Sequence, residues 1–312
     1  MKKNLKKMVF GVLLLTAMIF VTPKDAKASG DVWMSGTNRD SVTIQWNIPQ
    51  RSGITITAYY IQDSNQRTIW RGTANRATIS KLGAGYVSSW YVGYEYTYDY
   101  DGSYRTSGYV GSARVNTTPA DISTRDFAVS SVGTTTAQAS FKVNAPANAT
   151  KVDLELYNAK NKKVGKDTFY SYSNYLRLQK GMAYKYRVRA YYTNYDNNKT
   201  YYGRWSAYRY LTIPNATVKS GKKSMKVSIK KGTGVASYTV YVSNRRDGGF
   251  KKVKTFKVGK KSKYNVTIKK YGKKKIKGGK SYSIKVVPKV KFGKKTYSSD
   301  TIAQTNYVYV YR

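Results

Sequence analysis

The sequence of 312 residues contains no cysteine and no histidine. Without cysteine, neither a disulfide framework nor a thiolate metal site can form. Without histidine, the chain lacks the commonest general base, the commonest metal ligand and the base of a Ser-His or Cys-His pair. Acidic residues are also scarce, with 15 Asp and Glu against 57 Lys and Arg. We therefore expect a protein that is not an enzyme and that has no cofactor and no metal site.

The formal net charge is +42, which would attract the protein to polyanions. The charge is unevenly distributed along the chain. Residues 29–118 carry 8 basic and 6 acidic side chains, and residues 119–214 carry 15 and 6. Residues 215–312 carry 28 basic and only 2 acidic side chains. The last third of the chain is therefore predicted to be a cationic module.

The N-terminus has the features of a secretory signal peptide. Lysines lie at positions 2, 3, 6 and 7, and an apolar stretch follows over residues 8–21. Ala26-Lys27-Ala28 then provides a small-x-small site, with cleavage expected before Ser29. An uncleaved signal anchor is the alternative, and only this segment is expected to contact a membrane. A cysteine-free secreted chain is more typical of a bacterium than of an animal.

Short runs of alternating apolar and polar residues fill the rest of the chain. Val42, Ile44 and Trp46 share one face of such a run, and the same alternation occurs at residues 137–141 and 225–229. Turn residues bound each run, and no helical period is sustained for three turns. The pattern is typical of half-buried antiparallel strands and predicts an all-β protein.

These runs recur as an internal repeat with a period of roughly 90–98 residues, the size of one small β-sandwich. A second recurring pattern is an aliphatic residue six positions before a tyrosine, as in Leu178 to Tyr184 and Ile276 to Tyr282. In the first unit Trp90 is interpreted as holding this place, with a two-residue excess after Leu82. The predicted core anchors are Trp46, Trp90, Phe141, Tyr184, Ile229 and Tyr282.

A strand that ends in an aromatic residue, followed by Leu-x-x-Gly-x-x-Tyr, resembles the fibronectin type III domain. The resemblance implies tandem immunoglobulin-like β-sandwiches, with the strand-B aromatic in the core and the tyrosine at a corner before strand F. The third unit is similar to lysine-rich type III repeats in secreted proteins of Gram-positive bacteria. Prolines at Pro119 and Pro214 mark the boundaries. The predicted organisation is a signal peptide (1–28) and three domains, 29–118, 119–214 and 215–312.

Lysines of the third domain are the predicted polyanion-binding residues. Their number exceeds what protection of sheet edges needs, although edge protection is the alternative interpretation. The expected ligand is teichoic acid, an anionic glycan or extracellular DNA, bound loosely and with strong salt dependence. No recognition helix is present, so dedicated nucleic-acid recognition is not expected. The residues are Lys251, Lys252, Lys254, Lys257, Lys260, Lys261, Lys263, Lys269, Lys270, Lys273, Lys274 and Lys275.

Tyrosines crowd one hairpin of the first domain and the matching hairpin of the second. Exposed tyrosine suits a protein or carbohydrate partner, and Tyr91 and Tyr192 in particular are expected to meet solvent. The alternative is a set of cross-strand ladders that only stabilise the sheet. The predicted aromatic interface consists of Tyr91, Tyr98, Tyr100, Tyr104, Tyr192, Tyr195 and Tyr201.

Together these patterns predict a secreted binding or adhesion protein, extracellular or loosely associated with a cell wall. A secreted structural or matrix protein, or a soluble factor that acts on host cells, remains an open alternative.

The acidic hairpin at residues 99–102 lacks the spacing and closing glutamate of a calcium loop. No sorting tail follows Tyr311, so covalent attachment to a cell wall is not expected.

Overall fold

The computed structural model describes residues 31–133, 136–195, 197–300 and 304–311. Within these ranges the chain forms 25 β-strands and no helix. In this part of the chain there is accordingly no helix long and apolar enough to cross a membrane. The predicted signal peptide lies outside the described residues.

The first unit consists of two antiparallel sheets. Its strands are β1 (Val32–Thr37), β2 (Val42–Trp46), β3 (Ile54–Gln62), β4 (Thr68–Gly72), β5 (Arg76–Ile79), β6 (Val87–Tyr98) and β7 (Tyr104–Asn116). A three-stranded sheet has the order β1-β2-β5, and a four-stranded sheet has the order β4-β3-β6-β7. The alternation in β2 buries Val42, Ile44 and Trp46 between the two sheets.

The second unit repeats this arrangement. Its strands are β8 (Phe127–Gly133), β9 (Gln138–Val143), β10 (Lys151–Asn158), β11 (Lys163–Phe169), β12 (Leu176–Arg177), β13 (Ala183–Asn194), β14 (Lys199–Tyr202) and β15 (Arg209–Thr212). The three-stranded sheet has the order β12-β9-β8. In the other sheet, with the order β11-β10-β13-β14, the final strand is split, so that β14 and β15 both pair with β13.

The third unit has the same two sheets and one additional hairpin. Its strands are β16 (Ala216–Gly221), β17 (Ser224–Lys230), β18 (Val235–Ser243), β19 (Lys251–Lys257), β20 (Lys263–Ile268), β21 (Lys270–Tyr271), β22 (Lys274–Lys275), β23 (Lys280–Phe292), β24 (Lys295–Ser298) and β25 (Gln304–Val310). The sheets have the orders β16-β17-β20 and β19-β18-β23-β24, with β25 also paired to β23. β21 and β22 form a separate two-stranded ribbon.

Each pair of sheets encloses its own hydrophobic core. The predicted anchors Trp46, Trp90, Phe141, Tyr184, Ile229 and Tyr282 are all buried in these cores. The predicted fold class, all-β with tandem immunoglobulin-like sandwiches, is confirmed by the strand orders and by the three separate cores. The unit boundaries stay predictions.

A glycine with positive φ lies before the long central strand of each unit. Gly85, Gly181 and Gly279 have φ of 82°, 79° and 73°, a region that side chains other than glycine rarely adopt. Each glycine N–H donates to a carbonyl at or just beyond the end of its unit's last strand, those of Thr118, Ile213 and Val310. The three glycines are therefore structurally equivalent and align the units.

A buried tyrosine lies three residues after the glycine in two of the units. The Tyr184 hydroxyl accepts a hydrogen bond from the backbone N–H of Gln179 at 2.7 Å. The Tyr282 hydroxyl accepts the equivalent bond from Lys277 at 3.0 Å. Each bond ties the turn to the strand that follows it, so the tyrosine corner implied by the resemblance is present in the second and third units.

The first unit lacks this corner, and the predicted equivalence of Trp90 was wrong. Three residues after Gly85 the chain has Ser88, so there is no two-residue excess in this unit. Trp90 lies one inward position further along β6 and corresponds to the buried Tyr186 of the second unit. Its indole N–H donates to the Tyr86 hydroxyl at 3.2 Å, which gives the buried ring a partner by another route.

Candidate binding surfaces

The twelve lysines that were predicted to bind a polyanion all lie exposed on the third unit. None of the ion pairs between described residues includes a lysine of residues 215–300. Residues 215–312 contain only two acidic side chains, and one of them, Asp300, is bound by Arg209 of the second unit. The positive charge of the third unit is therefore largely uncompensated within the described part of the chain.

Four lysines lie on the outer face of the β16-β17-β20 sheet. The apolar residues of β17 turn inward, so Lys226 and Lys230 turn outward. Lys219 lies directly opposite Lys226, and Lys230 lies directly opposite Lys263. Like charges at directly opposed positions destabilise an antiparallel pair. We call these four residues the lysine face.

Polar side chains occupy the positions between these lysines. The Ser228 hydroxyl of β17 donates to the Asn265 side-chain oxygen at 2.7 Å, and Thr267 lies opposite Lys226. Hydroxyl and amide groups beside ammonium groups can donate and accept hydrogen bonds with phosphate or sugar groups. The chemistry of the lysine face therefore favours a polar, anionic ligand over an apolar one.

A groove extends the basic surface at one end of the third unit. It has a volume of about 480 Å³ and is lined by Lys222 and Lys223 of the β16–β17 turn and by Lys269, Lys270 and Lys275 of the β21–β22 region. Lys270 lies opposite Lys275 in the β21–β22 ribbon, which is a third cross-strand pair of like charges. We call this the distal groove.

A larger groove of about 1040 Å³ lies at the other end of the unit. Its lining includes Lys230 and Lys263 of the lysine face together with Lys231, Lys260 and Lys291. Because two residues belong to both, this proximal groove is continuous with the lysine face. The grooves and the face together bring basic residues from five separate segments of the chain to one surface.

Four of the other predicted lysines lie on the second sheet instead. Lys251, Lys252, Lys254 and Lys257 lie on β19, the edge strand of the second sheet. The ammonium group of Lys254 lies 5.2 Å from the centre of the Phe256 ring. Charged residues on an edge strand oppose pairing with other chains, so the alternative of edge protection fits β19 better than the polyanion interpretation does.

Sequence reasoning missed seven lysines of the lysine face and the two grooves. It followed the densest lysine runs and so passed over residues that alternate with apolar ones. The alternation Met225, Val227, Ile229 was recognised as a strand, and the same pattern places the intervening lysines outward. The missed residues are Lys219, Lys222, Lys223, Lys226, Lys230, Lys231 and Lys291.

The tyrosines of β6 form a ladder along one side of the strand. Ring centres of Tyr94 and Tyr96, Tyr96 and Tyr98, and Tyr98 and Tyr100 are 5.7, 5.4 and 5.1 Å apart. The ladder begins in the core at Tyr94 and ends at Tyr100, whose side chain is 77% exposed. Among the other predicted interface residues, Tyr91, Tyr104 and Tyr195 are also exposed.

The prediction that Tyr192 meets solvent was wrong. Tyr192 and Tyr201 lie opposite each other on β13 and β14, with nearly parallel rings 6.5 Å apart. Both rings pack against the core of the first unit. Burial raises the pKa of Tyr201. These two tyrosines belong to the joint between the first and second units and do not form a free surface.

Other tyrosines of the second unit belong to a structural ladder of alternating cations and rings. Arg187 and Arg189 of β13 both lie against the Trp205 ring, each guanidinium 4.5 Å from a ring centre. Arg189 also lies 3.8 Å from the centre of the Tyr202 ring. Sequence reasoning missed this ladder, because Trp205 lies outside the strands of the repeat.

The acidic side chains of β10 complete this structural ladder. Glu155 accepts hydrogen bonds from Arg187, Lys163 and Tyr157 at distances of 2.7–3.1 Å. Burial alone would raise the pKa of Glu155, but these donors outweigh it and lower the pKa to about 2. Glu155 is therefore a structural anion at neutral pH. No group of three acidic residues that could hold a metal ion occurs in the described ranges.

No protein-family model matches the sequence, and no match was found among the curated proteins. Solved structures similar to the chain include the FN1–FN3 domains of chicken CNTN1, a crystal structure. The alignment covers 91% of this chain and 98% of that chain, at 13% sequence identity and a TM-score of 0.27. A score this low carries no argument, so the assignment of the fold rests on the strand orders and the cores.

Proposed function

We propose that the protein is a secreted, non-catalytic binding protein whose third unit attaches to an anionic polymer. The observation that carries the proposal is the set of three cross-strand lysine pairs, Lys219 with Lys226, Lys230 with Lys263, and Lys270 with Lys275. Each pair costs folding stability in the free protein, because like charges directly opposite each other destabilise an antiparallel pair. A bound anion would relieve the repulsion between the paired ammonium groups.

Edge protection does not account for the first two of these pairs. β17, which contributes Lys226 and Lys230, is the central strand of its sheet and has both edges paired. Protection against aggregation needs charges on unpaired edges, such as those of β19. The lysines of the central strand therefore support a ligand-binding role.

The lysine chemistry favours a repeating anionic ligand. An ammonium group is a compact point charge without the planar fork by which arginine selects one phosphate or carboxylate geometry. The lysine face and the proximal groove share residues, so a polymer could contact both along its length. Teichoic acid, an anionic glycan and extracellular DNA all provide the required row of negative charges, and the predicted export and bacterial origin favour the first of these.

The proposal is tested by polymer binding of two full-length variants with the same change in charge. One combines Lys219→Gln, Lys226→Gln, Lys230→Gln and Lys263→Gln on the lysine face. The control combines Lys251→Gln, Lys252→Gln, Lys254→Gln and Lys257→Gln on β19. A lysine close to an anionic surface contributes about 1 kcal/mol, so the first variant should lose on the order of 100-fold or more in affinity at low salt.

The probe is purified cell wall with and without its teichoic acid, across a series from about 50 to about 500 mM salt. We expect the wild-type protein to need the polymer and to dissociate as salt rises, and the β19 control to lose much less affinity than the face variant. Equal losses in both variants would contradict the assigned surface. Binding that ignores the removal of the polymer would contradict an anionic ligand of this kind.

The exposed tyrosines of the first unit support a second binding surface, for a protein or a carbohydrate partner. Tyr91, Tyr100 and Tyr104 lie on or between β6 and β7 with much of each ring in solvent. Tyrosine combines a large apolar area with a hydrogen-bonding end and few side-chain torsions, which favours contact with a partner. A protein with two such surfaces could link an anionic polymer to a second molecule.

A further inference from the structure

The β13–β14 hairpin joins the second unit to the first. Tyr192 of β13 and Tyr201 of β14 pack on the core of the first unit. The Asn197 side-chain amide, in the turn between these strands, donates to the Met34 carbonyl of β1 at 3.3 Å. The β13–β14 hairpin is therefore a docking element directed at the preceding unit.

The third unit uses the same element against the second. Tyr297 of β24 stacks on Tyr210 of β15 with ring centres 3.8 Å apart, and Phe292 of β23 lies 5.4 Å from the same ring. In the segment after the hairpin, Asp300 accepts hydrogen bonds from Arg209 at 2.6 and 2.7 Å and from the Tyr186 hydroxyl at 2.7 Å. The two units therefore contact each other through stacked aromatic rings and through the ion pair between Asp300 and Arg209.

The docking residues occupy equivalent positions when the units are aligned on Gly181 and Gly279. Tyr192 pairs with Tyr201, and at the same places in the third unit Val290 pairs with Tyr297. The second and third units thus have a tyrosine, Tyr201 or Tyr297, at the same position of the hairpin, and in both units this tyrosine contacts the preceding unit. The contact is a property of the repeat and not of one pair of units.

The first unit carries the corresponding hairpin, β6–β7, with its tip in solvent. Alignment on the same glycines places Tyr96 with Tyr192, and Tyr98 with Phe292. The tyrosine ladder continues past both of them to Tyr100, which is 77% exposed. The first unit therefore has aromatic rings on the side of the hairpin that the other two units use for docking.

The third unit carries the complementary surface. Tyr184 lies opposite Leu211 and Tyr282 lies opposite Val308, so Tyr307 of β25 is the equivalent of Tyr210. Tyr210 is covered by the hairpin of the third unit, whereas Tyr307 is 62% exposed. Two further exposed rings, Tyr309 and Tyr311, extend this tyrosine strip along the end of the chain.

The charges of these two ends are opposite. Asp99 and Asp101 flank Tyr100 at the tip of the β6–β7 hairpin. The tyrosine strip belongs to a unit with 28 basic and 2 acidic side chains, and Lys280 and Lys285 lie on the strand paired with β25. An acidic aromatic tip and a basic aromatic strip attract each other, whereas two copies of either would repel.

We propose that the protein associates head to tail with a second copy of itself, the β6–β7 hairpin of one copy docking on Tyr307 and the tyrosine strip of the next. The contact repeats between chains the joint that already links the units within one chain. Because the two surfaces differ, the interface is heterologous, and each added copy leaves one free hairpin and one free strip. Such an interface builds open chains of increasing length.

Sedimentation velocity of the full chain in polymer-free buffer tests this proposal. We expect the wild-type protein to form species larger than a monomer whose share grows with concentration. Tyr100→Ser and Tyr307→Ser each remove one side of the contact at an exposed position and should raise the dissociation constant about tenfold or more. Tyr195→Ser is the matched control, since Tyr195 is 76% exposed but lies outside both surfaces.

Mixing the two variants provides the decisive measurement. Tyr100→Ser retains a working strip and Tyr307→Ser a working hairpin, so an equimolar mixture should form dimers of one copy each and stop there. Circular dichroism of each variant checks that the sheets remain. The proposal is overturned if the wild-type protein stays monomeric at about 1 mM, if Tyr195→Ser weakens association as much as the other two changes, or if the mixture forms no dimers.

Discussion

The first and third units share a fold but differ on one face of one sheet. In the first unit, the outer face of the three-stranded sheet pairs Thr43 with Thr78, whose hydroxyl groups are 2.8 Å apart. At the corresponding face of the third unit, lysine opposes lysine in two places. The first arrangement stabilises the sheet and the second destabilises it. The inward residues of a strand thus specify the sandwich, while the outward residues remain free to specify a ligand.

We expect the greatest loss of stability from a change in the hydrophobic core, the feature that the units share. Trp46→Ala removes a fully buried ring that meets Tyr59 and Trp70 edge-on, and should destabilise the first unit by about 3–5 kcal/mol. Trp33→Ala on the outer face of β1 should cost less than half as much. Urea unfolding followed by the fluorescence of the remaining tryptophans measures both, because all five tryptophans precede residue 206. Equal losses would contradict the assigned core.

The stability of the second unit should depend on pH through Glu155. Hydrogen bonds hold the pKa of Glu155 at about 2, below its usual 4.5, so its carboxylate stabilises the second unit fully above pH 4.5. This contribution, about 2–3 kcal/mol, is lost as the pH falls from about 4.5 to about 2. Glu155→Gln should lower stability at pH 7 and flatten the acid dependence seen by Trp205 fluorescence. An unchanged acid transition would show that another carboxylate controls it.

A change on the lysine face, which distinguishes the third unit from the first, should alter stability by much less. Lys263→Glu replaces the repulsion with Lys230 by attraction and should stabilise the third unit by about 0.2–1 kcal/mol at low salt. The same change should weaken polymer binding, so stability and function move in opposite directions. Lys261→Glu is the control, since Lys261 precedes β20 and lies outside the cross-strand pairs.

Thermal unfolding followed by circular dichroism, at about 10 mM and about 1 M salt, measures this change. The stabilisation by Lys263→Glu should shrink at high salt because the salt screens the repulsion that the change relieves. If Lys261→Glu stabilised the unit as much as Lys263→Glu, the effect would come from net charge and not from the cross-strand pair.

The fold was largely predictable because its determinants are local. Alternation in β2, β9 and β17 specifies inward residues without knowledge of what they contact, and the Gly-x-x-Tyr spacing specifies a turn followed by a strand. The one misalignment concerned Trp90, where Ser88 removes the tyrosine on which the comparison of units depended. A sequence pattern that depends on the tyrosine cannot align a unit that has another residue at that position.

The surfaces were only partly predictable. Runs of lysine identified the correct unit but not the lysine face, since Lys219 and Lys263 lie 44 positions apart and meet only through β17. Tyr192 and Tyr100 both lie in tyrosine-rich hairpins, yet Tyr192 packs against the preceding unit and Tyr100 is in solvent. Exposure depends on what packs against a residue, and no local pattern records that.

The strands, the repeat, the buried anchors and the concentration of positive charge in the third unit can all be read from the order of the amino acids. These follow from side-chain polarity and period, which act over a few residues. The folded chain was needed to show which lysines oppose one another, which tyrosines join the units and which tyrosines are exposed. Those properties depend on register between distant strands and on contacts between units, where backbone pairing brings together residues that are far apart in the chain.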